Sequence, residues 1–407
     1  MTSLTTPRRG TGSRSRANRP VLLVLGLLAA LGPFTVDLYL PALPVIQASL
    51  DASTAATQFT LTATTLGFAL GQLVIGNWTD AAGRRLPLLL ATSVHVVASI
   101  GIVVSPSIEW VLAFRFLQGL GAAGSSVVAS AIVRDLFSGV SFVKTLARLA
   151  LISGLAPVVA PFIGSQLLEL MDWRGLFGFV ATYGAVVVVV AVFWLSETLP
   201  SERRLTLAPR AVAERYRGLL GDRVFVGVAL IGGLMVSGVF SILTSSSFLL
   251  QETYGLDARG YSMVFALNAI SFVMGTQACA RVIRRVRPAM PLTVSLPLMV
   301  ASGFAIAPAS RQGVVGISIA TVVFMLGAGA TAPCLGVIGV GRNAHQAGTA
   351  AALLGATNFG MAGLVSPLVG AIGVDSAVPM GLVIGATEAI GVVLLWALVR
   401  PRTVQLE

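Results

Sequence analysis

Runs of apolar residues recur along the whole chain, each about 20 residues long and so long enough to cross the hydrocarbon core of a bilayer as a helix. Short charged or Gly/Pro-rich stretches separate them. The pattern predicts twelve such helices, over residues 20–44, 57–77, 87–105, 108–131, 146–168, 175–196, 223–248, 260–280, 290–309, 313–340, 347–372 and 378–399. The longest hydrophilic break, Glu197 to Arg223, divides them into two sets of six. The expected fold class is all-α integral membrane, with twelve transmembrane helices in two pseudo-symmetric six-helix bundles at 20–197 and 223–400. A central loop at 198–222 joins the bundles, and a disordered basic tail at 1–19 and a short tail at 401–407 flank them.

Composition sharpens this picture. The 407 residues are 56% hydrophobic and 11% charged, whereas about a quarter of the residues in a soluble domain are charged. A net charge of +11 would suggest a nucleic-acid partner in a soluble protein, but in a membrane protein the informative quantity is its distribution between alternate loops. One side holds 23 Lys and Arg and the other holds Arg174, Arg259 and Arg311, with Arg115 left inside a span. Both termini are therefore expected in the cytoplasm, and the protein in the bacterial cytoplasmic (inner) membrane. The basic stretch Thr2 to Arg19 reads as a topogenic tail, so no nucleic acid is expected as a partner. No signal peptide is evident, since the first apolar run is long and lacks a cleavage site. Cys279 and Cys334 lie within spans and make no spaced pair, giving neither a disulfide framework nor a metal site.

The two sets of six echo each other, as internally repeated transporters do. GLGAAGSS at 119–126 in span 4 corresponds to LGAGATAP at 326–333 in span 10. LAPVVAPFIG at 155–164 in span 5 parallels GLVSPLVGAIG at 363–373 in span 11, and short basic loops follow spans 2 and 8.

Four motifs carry the candidate chemistry. The loop GNWTDAAGRR, from Gly76 to Arg85, puts one acid and two arginines in a tight turn. A carboxylate there can bind the arginines or the positive end of a helix. Arg115 is the one basic residue well inside a span, and such a residue is a functional hypothesis because its burial is costly unless it is paired. It shares a helical face with Gln118, Gly119 and Ala122. FTVDLYLPALP, 34–44, places Asp37 near the outer third of span 1, just before a proline-containing exit. SGLAPVVAPFIG, 153–164, has prolines at 157 and 161 that let span 5 bend, and Gly154 and Gly164 that allow close helix contact.

In this order the four motifs resemble those of the major facilitator superfamily. Gly76, Asp80, Gly83, Arg84 and Arg85 fit its cytoplasmic pattern G-x-x-x-D-R/K-x-G-R-R/K, with Ala81 where a basic residue is usual. The resemblance implies a latch that holds the two halves closed on the cytoplasmic side, weakened by Ala81. RFLQGLGAAG, 115–124, resembles the span-4 R-x-x-Q-G motif associated with proton coupling, which assigns that role to Arg115 and Gln118. The segment around Asp37 resembles the D-x-Y-L-P signature of the bicyclomycin and chloramphenicol resistance branch (Bcr/CflA) of the drug:proton antiporters. Gly154, Pro157, Pro161 and Gly164 resemble the span-5 antiporter motif, with Ala156 where a Gly usually precedes the first proline. The acid that some multidrug relatives carry two turns earlier in span 1 is missing between Leu27 and Thr35. The further matches AIVRDLF at 131–137 and DWRGLF at 172–177 extend the likeness.

The expected function is proton-coupled antiport of small amphiphilic drugs, phenicol- or bicyclomycin-like, by alternating access. Asp37 and Arg115 would set the protonation chemistry of a cavity between the halves. No cofactor is expected, the proton gradient being the driver; the partners are substrate, protons and the bilayer, and a monomer suffices. An enzyme is disfavoured, since the spans hold no HExxH, one His and no Lys. The rival is a proton-coupled transporter of an endogenous metabolite. It would be expected to bring more fixed charge or polar and aromatic groups into spans that read as aliphatic and small, which suit a neutral amphiphile. Glu388 in span 12 reads either as a group that titrates in the pathway or as an interhelical hydrogen-bonding group, Asn268, Gln277 and Asn358 read as interhelical hydrogen-bonding groups, and His95 as a packing residue.

Overall fold

The structure, a computed structural model, describes residues 19–204, 209–343, 346–373 and 376–401. The expected tails lie almost wholly outside these residues. Among the described residues every regular element is helical. The first six long helices are α1 (Arg19–Asp37), α2 (Thr54–Ala82), α3 (Arg85–Val103), α4 (Ile108–Leu136), α5 (Gly139–Leu170) and α6 (Trp173–Trp194). A short helix, Pro209–Gly221, precedes α7 (Arg223–Phe248), α8 (Ala258–Val282), α9 (Leu292–Ala309), α10 (Gly313–Gly341), α11 (Ala347–Val365, continued by Pro367–Ile372) and α12 (Val378–Leu394). These are the twelve apolar spans expected of the sequence.

Local chemistry sets their ends. Asp172, Asp222 and Asp257 precede α6, α7 and α8, and each side chain accepts a first-turn N–H, from Gly175, Val224 and Gly260, so the exposed donors of the helix start are satisfied. The apolar stretch Leu292–Gly341 runs for 50 residues but becomes two helices, because the turn Ser310–Gln312 leads into Gly313 at φ +67°. A left-handed residue cannot continue a helix, and glycine adopts it without a steric cost. The first span differs from expectation. Helix α1 stops at Asp37 rather than near residue 44, and the chain continues as a 3-10 turn, Leu40–Ala42, and a short helix, Leu43–Ser49. Pro41 and Pro44 lack the N–H groups that would have extended α1.

One close crossing in each set of helices is built in the same way. A Cβ on Gly67 would strike the Phe116 carbonyl, and one on Gly119 the Thr64 carbonyl, so α2 and α4 touch backbone to backbone. In the second set, Gly275 faces the Leu326 carbonyl and Gly329 the Phe272 carbonyl, so α8 and α10 repeat the arrangement. Small residues let membrane helices approach this closely where no hydrophobic effect drives them together.

Three seams join the two sets: α2 against α11, α5 against α8, and the segment that follows α1, Leu40–Ser49, against α7. At the end that carries Asp51, Asp172 and Asp257 they are tied. Ser247 Oγ donates to the Leu40 carbonyl at 2.7 Å, Ser262 Oγ to the Pro161 carbonyl at 3.0 Å, and Arg259 pairs with Glu169 at 2.7 Å. At the other end, which carries Arg84, Arg134 and Arg342, α2 still meets α11, but α4 and α10 stand apart. A cavity of about 410 Å³ lies between Ser126, Ser130 and Arg134 on one side and Ala332, Leu335 and Val340 on the other.

Candidate functional site

A second cavity, of about 440 Å³, occupies the middle of the molecule between the two sets of helices. Helix α1 contributes residues 28, 29, 32, 33, 36 and 37, a single face at helical spacing. Across from it stand α7, with Phe240 and Ser246, and α8, with Tyr261, Phe265, Asn268 and Phe272. Gln72 and Ser126 line this cavity and also the one at the basic end, so the two meet there. Asp37 is the only carboxylate among the described residues of the central wall, and it is buried.

The segment that follows Asp37 is gripped from several sides. Arg115 is fully buried on α4. One guanidinium nitrogen donates both to the Thr35 carbonyl, at 2.9 Å, and to Gln118 Oε1, at 2.6 Å; Nε donates to the Thr60 carbonyl at 3.4 Å. Thr35 lies in the last turn of α1, where carbonyls have no helical partner and carry the negative end of the helix dipole. Arg115 therefore caps α1. Its guanidinium also lies 4.1 Å from the centre of the Tyr39 ring and 5.6 Å from that of Phe177, a cation–π arrangement that offsets part of its lost hydration. Tyr39 in turn shares a hydrogen bond with Thr60 Oγ1 at 3.0 Å. Gln118 donates to Ser99 Oγ at 2.7 Å, and His95 Nδ1 lies 3.3 Å from the Gln118 carbonyl. His95 is thus a buried member of this network and lines neither cavity.

Asp37 and Arg115, expected to share the protonation chemistry, form no ion pair. Arg115 holds the backbone two residues before Asp37, whose side chain lines the cavity instead. The span-5 motif divides similarly. Gly154 and Pro157 line the central cavity, the Pro161 carbonyl receives Ser262 across the seam, and Gly164 leaves room for the Leu38 carbonyl.

At the basic end, Arg84 is buried and pairs with Asp80 at 2.5 Å and with Asp135 at 2.9 Å. Glu197 accepts the N–H groups of Arg84 and Arg85, at 2.8 and 3.2 Å, and those of Thr198 and Leu199. Gly83, at φ +95°, makes this turn possible, and a Cβ there would strike the Glu197 carboxylate. Desolvation pushes the Glu197 carboxyl up, but the four N–H groups outweigh it and hold the carboxyl below its ordinary range. The latch expected between the halves is, in this conformation, satisfied within the first half. From the same motif Asn77 reaches the central loop instead, its Nδ2 donating at 2.8 Å to Tyr216 Oη on the short helix before α7. Gly76 and Asp80 line the basic-end cavity.

Sequence reasoning missed the aromatic part of the central wall. Phe68, Phe240 and Phe359 converge there: ring centres are 4.5 Å apart for Phe68 and Phe359, and 6.0 Å for Phe240 and Phe359. The expectation of an aliphatic, small-residue lining is corrected accordingly. A sequence signal existed in the i, i+4 spacing of Phe68 with Gln72 and of Asn268 with Phe272. Glu388 is buried beside Gly238 and Phe324, lines neither cavity, and has no hydrogen-bond partner on either oxygen. It does not make the interhelical bond expected of it.

Residues 25–367 match the family described as Major Facilitator Superfamily. The chain is 33% identical to the uncharacterized MFS-type transporter YdgK of Bacillus subtilis, over 94% of this chain and 96% of that one. It is 28% identical to the bicyclomycin resistance protein homolog of Haemophilus influenzae, over 91% and 94%. With the multidrug resistance protein MdtL of Escherichia coli it shares 30% identity, over 81% and 82%. In fold it is similar to the D-xylose–proton symporter, with a TM-score of 0.76 at 15% identity, over 95% of this chain and 99% of that one.

Proposed function

The chain belongs to the Major Facilitator Superfamily and is a multi-pass membrane transporter, and from that premise we propose that it exports small amphiphilic drugs, phenicol- or bicyclomycin-like, in exchange for protons. The basic end faces the cytoplasm, by the usual excess of Lys and Arg on that side, and the membrane is the bacterial inner membrane. One observation carries the reading: a buried acid, Asp37, stands on the largely apolar wall of a cavity between the halves and is the one carboxylate among its described residues. Two of the relatives are named for drug resistance, which supports the same substrate class.

Asp37 is the proton carrier. It ends α1 where that helix meets α7 and α8, so gain or loss of its proton changes the charge at the seam. Arg115 and Gln118 are positioning residues, since they hold the α1 terminus through the Thr35 carbonyl without touching the carboxyl. In the conformation described here substrate reaches the central cavity from the basic end, past Gln72 and Ser126. Opening of the ties made by Ser247, Ser262 and Arg259 then releases it at the opposite end. This is rocking of two halves about a central site, the usual scheme for such transporters. The gradient supplies the energy without a cofactor, and one chain holds the whole pathway.

The test is transport by the purified protein in liposomes, with chloramphenicol and bicyclomycin as probes and an imposed pH gradient. Gradient-dependent movement that Asp37→Asn abolishes is the expected result. Movement that persists unchanged in Asp37→Asn, or that ignores the gradient, overturns the assignment of Asp37. Movement of neither drug, with an active response to an endogenous metabolite, favours metabolite transport.

A further inference from the structure

The central cavity has an aromatic side and two buried polar atoms without a hydrogen-bond partner, Asn268 Oδ1 and Tyr261 Oη. Phe68 of α2, Phe240 of α7 and Phe359 of α11 meet with tilted and edge-on ring geometries, at interplanar angles of 46° and 88°. Such clusters leave ring faces and edges available to a further ring, and arene–arene contact favours offset or edge-on approach. Asn268 of α8 lines the same cavity and is 6% exposed. Its Nδ2 donates to the Val264 carbonyl at 3.1 Å, while Oδ1 has no partner. A buried carbonyl oxygen without a protein donor is costly, and the N–H or O–H of a ligand in the cavity is a group that can supply one. The flanking residues Phe265 and Phe272 lie on the same face of α8, so Asn268 sits between rings.

We propose that this cavity is built for an aromatic small molecule that also carries an N–H or O–H donor, its ring lodged among Phe68, Phe240 and Phe359 and its donor on Asn268 Oδ1. The inference rests on the reading of the cavity as the transport site, and it separates two classes that reading leaves together. A phenicol has both features. A non-aromatic, hydroxyl-rich bicycle such as bicyclomycin has donors and no arene for the aromatic side. A polar group in a pocket that was built to pair it discriminates more sharply than an added methylene does.

The experiment is equilibrium binding to the purified full-length protein in lipid nanodiscs, with labelled chloramphenicol and labelled tetraphenylphosphonium, a ring-bearing cation without N–H or O–H. Unlabelled bicyclomycin serves as competitor. Chloramphenicol is expected to bind at least about tenfold more tightly than bicyclomycin. In Asn268→Leu the ratio of chloramphenicol to tetraphenylphosphonium affinity should fall about tenfold, the effect of one lost buried hydrogen bond. Phe359→Leu should weaken both ring-bearing probes several-fold. Because the Asn268 result is a ratio within one preparation, a partly misfolded sample does not mimic it. Equal affinity for bicyclomycin and chloramphenicol, an unchanged ratio in Asn268→Leu, or binding of neither ring-bearing probe overturns the proposal. Gradient-driven flux in liposomes is scored separately. Flux of bicyclomycin without chloramphenicol binding leaves export standing and removes this ligand class. Chloramphenicol binding as described without any gradient-driven flux does the reverse.

Discussion

The α2/α4 crossing and the α8/α10 crossing are built alike and used differently. In each, two glycines bring helix backbones into contact, and each glycine lies three residues after the residue whose carbonyl its partner glycine faces: Thr64 and Gly67 with Phe116 and Gly119, Phe272 and Gly275 with Leu326 and Gly329. The neighbours on α4 and α10 diverge. Four residues before Gly119 stands Arg115, and one residue before it Gln118; the same positions before Gly329 hold Met325 and Ala328. The second copy therefore keeps the close approach without the buried polar network, and Met325 joins the cavity wall instead. Backbone geometry and site chemistry are separable in this protein. The first is duplicated, and the buried Arg115–Gln118 network is confined to one half.

The largest effects should come from the shared geometry. Gly119→Leu and Gly329→Leu each force a side chain into a backbone carbonyl, and overpacking of this kind costs at least about 1–3 kcal/mol. Both are expected to remove nearly all monodisperse protein, as read by size-exclusion chromatography of a fluorescent fusion. If Gly329→Leu is tolerated while Gly119→Leu is not, the two crossings are not structural equivalents.

Replacement of the polar network by the second half's own residue is the next step down. Arg115→Met removes the donor to the Thr35 carbonyl and to Gln118, and each buried acceptor left unpaired costs about 1–3 kcal/mol. Protein should still insert, with transport reduced about 100-fold and thermal stability lowered by several degrees. Arg115→Lys should restore little, because a point charge cannot span Thr35, Thr60 and Gln118 at once. Full activity in Arg115→Met would show that the cap on α1 has no part in the cycle.

The loops that follow α2 and α8 extend the comparison to the basic end. The first holds its arginine with acids, Asp80 and Asp135, while the second, from Ile283 to Pro291, has arginines and no acid. Glu197→Gln should therefore lower stability through the first loop alone. The carboxyl lies below its ordinary value of 4.5, so its stabilisation is fully present above that value and is lost as the pH falls through the lower one. The difference in melting temperature between wild type and Glu197→Gln should stay constant from neutral pH down to the ordinary carboxylate range and close below it. A difference that closes near neutral pH would show that another group governs the loop.

The smallest effect belongs to Arg259→Ala. Its pair with Glu169 crosses the seam, but both side chains are about half exposed, and exposed pairs contribute about 0–1 kcal/mol. Transport should change by less than about threefold, and a larger loss would mark the pair as a gate rather than a surface contact.

Much of the architecture was legible in the sequence. Span number and order followed from apolar length, because an unpaired backbone polar group in lipid is so unfavourable that the helix is the available solution. Arg115 and Gln118 were recognisable from helical spacing and from the rarity of a charge at that depth. Asp37 was placed near the end of its helix for the same reason, although two prolines ended that helix earlier than the apolar run does. The Phe68, Phe240 and Phe359 cluster was not legible. In a soluble helix, polarity separates the inward face from the outward one, but here both faces are apolar and lipid is as welcoming to phenylalanine as a cavity wall is.

The sequence by itself determined that the chain spans a membrane repeatedly, where its charges fall between loops, and which few residues carry charge inside. Those are consequences of length and polarity, which are local. Tertiary structure decided that Arg115 grips a helix end and leaves Asp37 to the cavity, and that the acids of the basic loop are satisfied within one half. It also decided that three rings from three helices line one site. Each of these depends on which helix faces touch, and in an apolar solvent that choice is made by shape and hydrogen-bond satisfaction between distant segments.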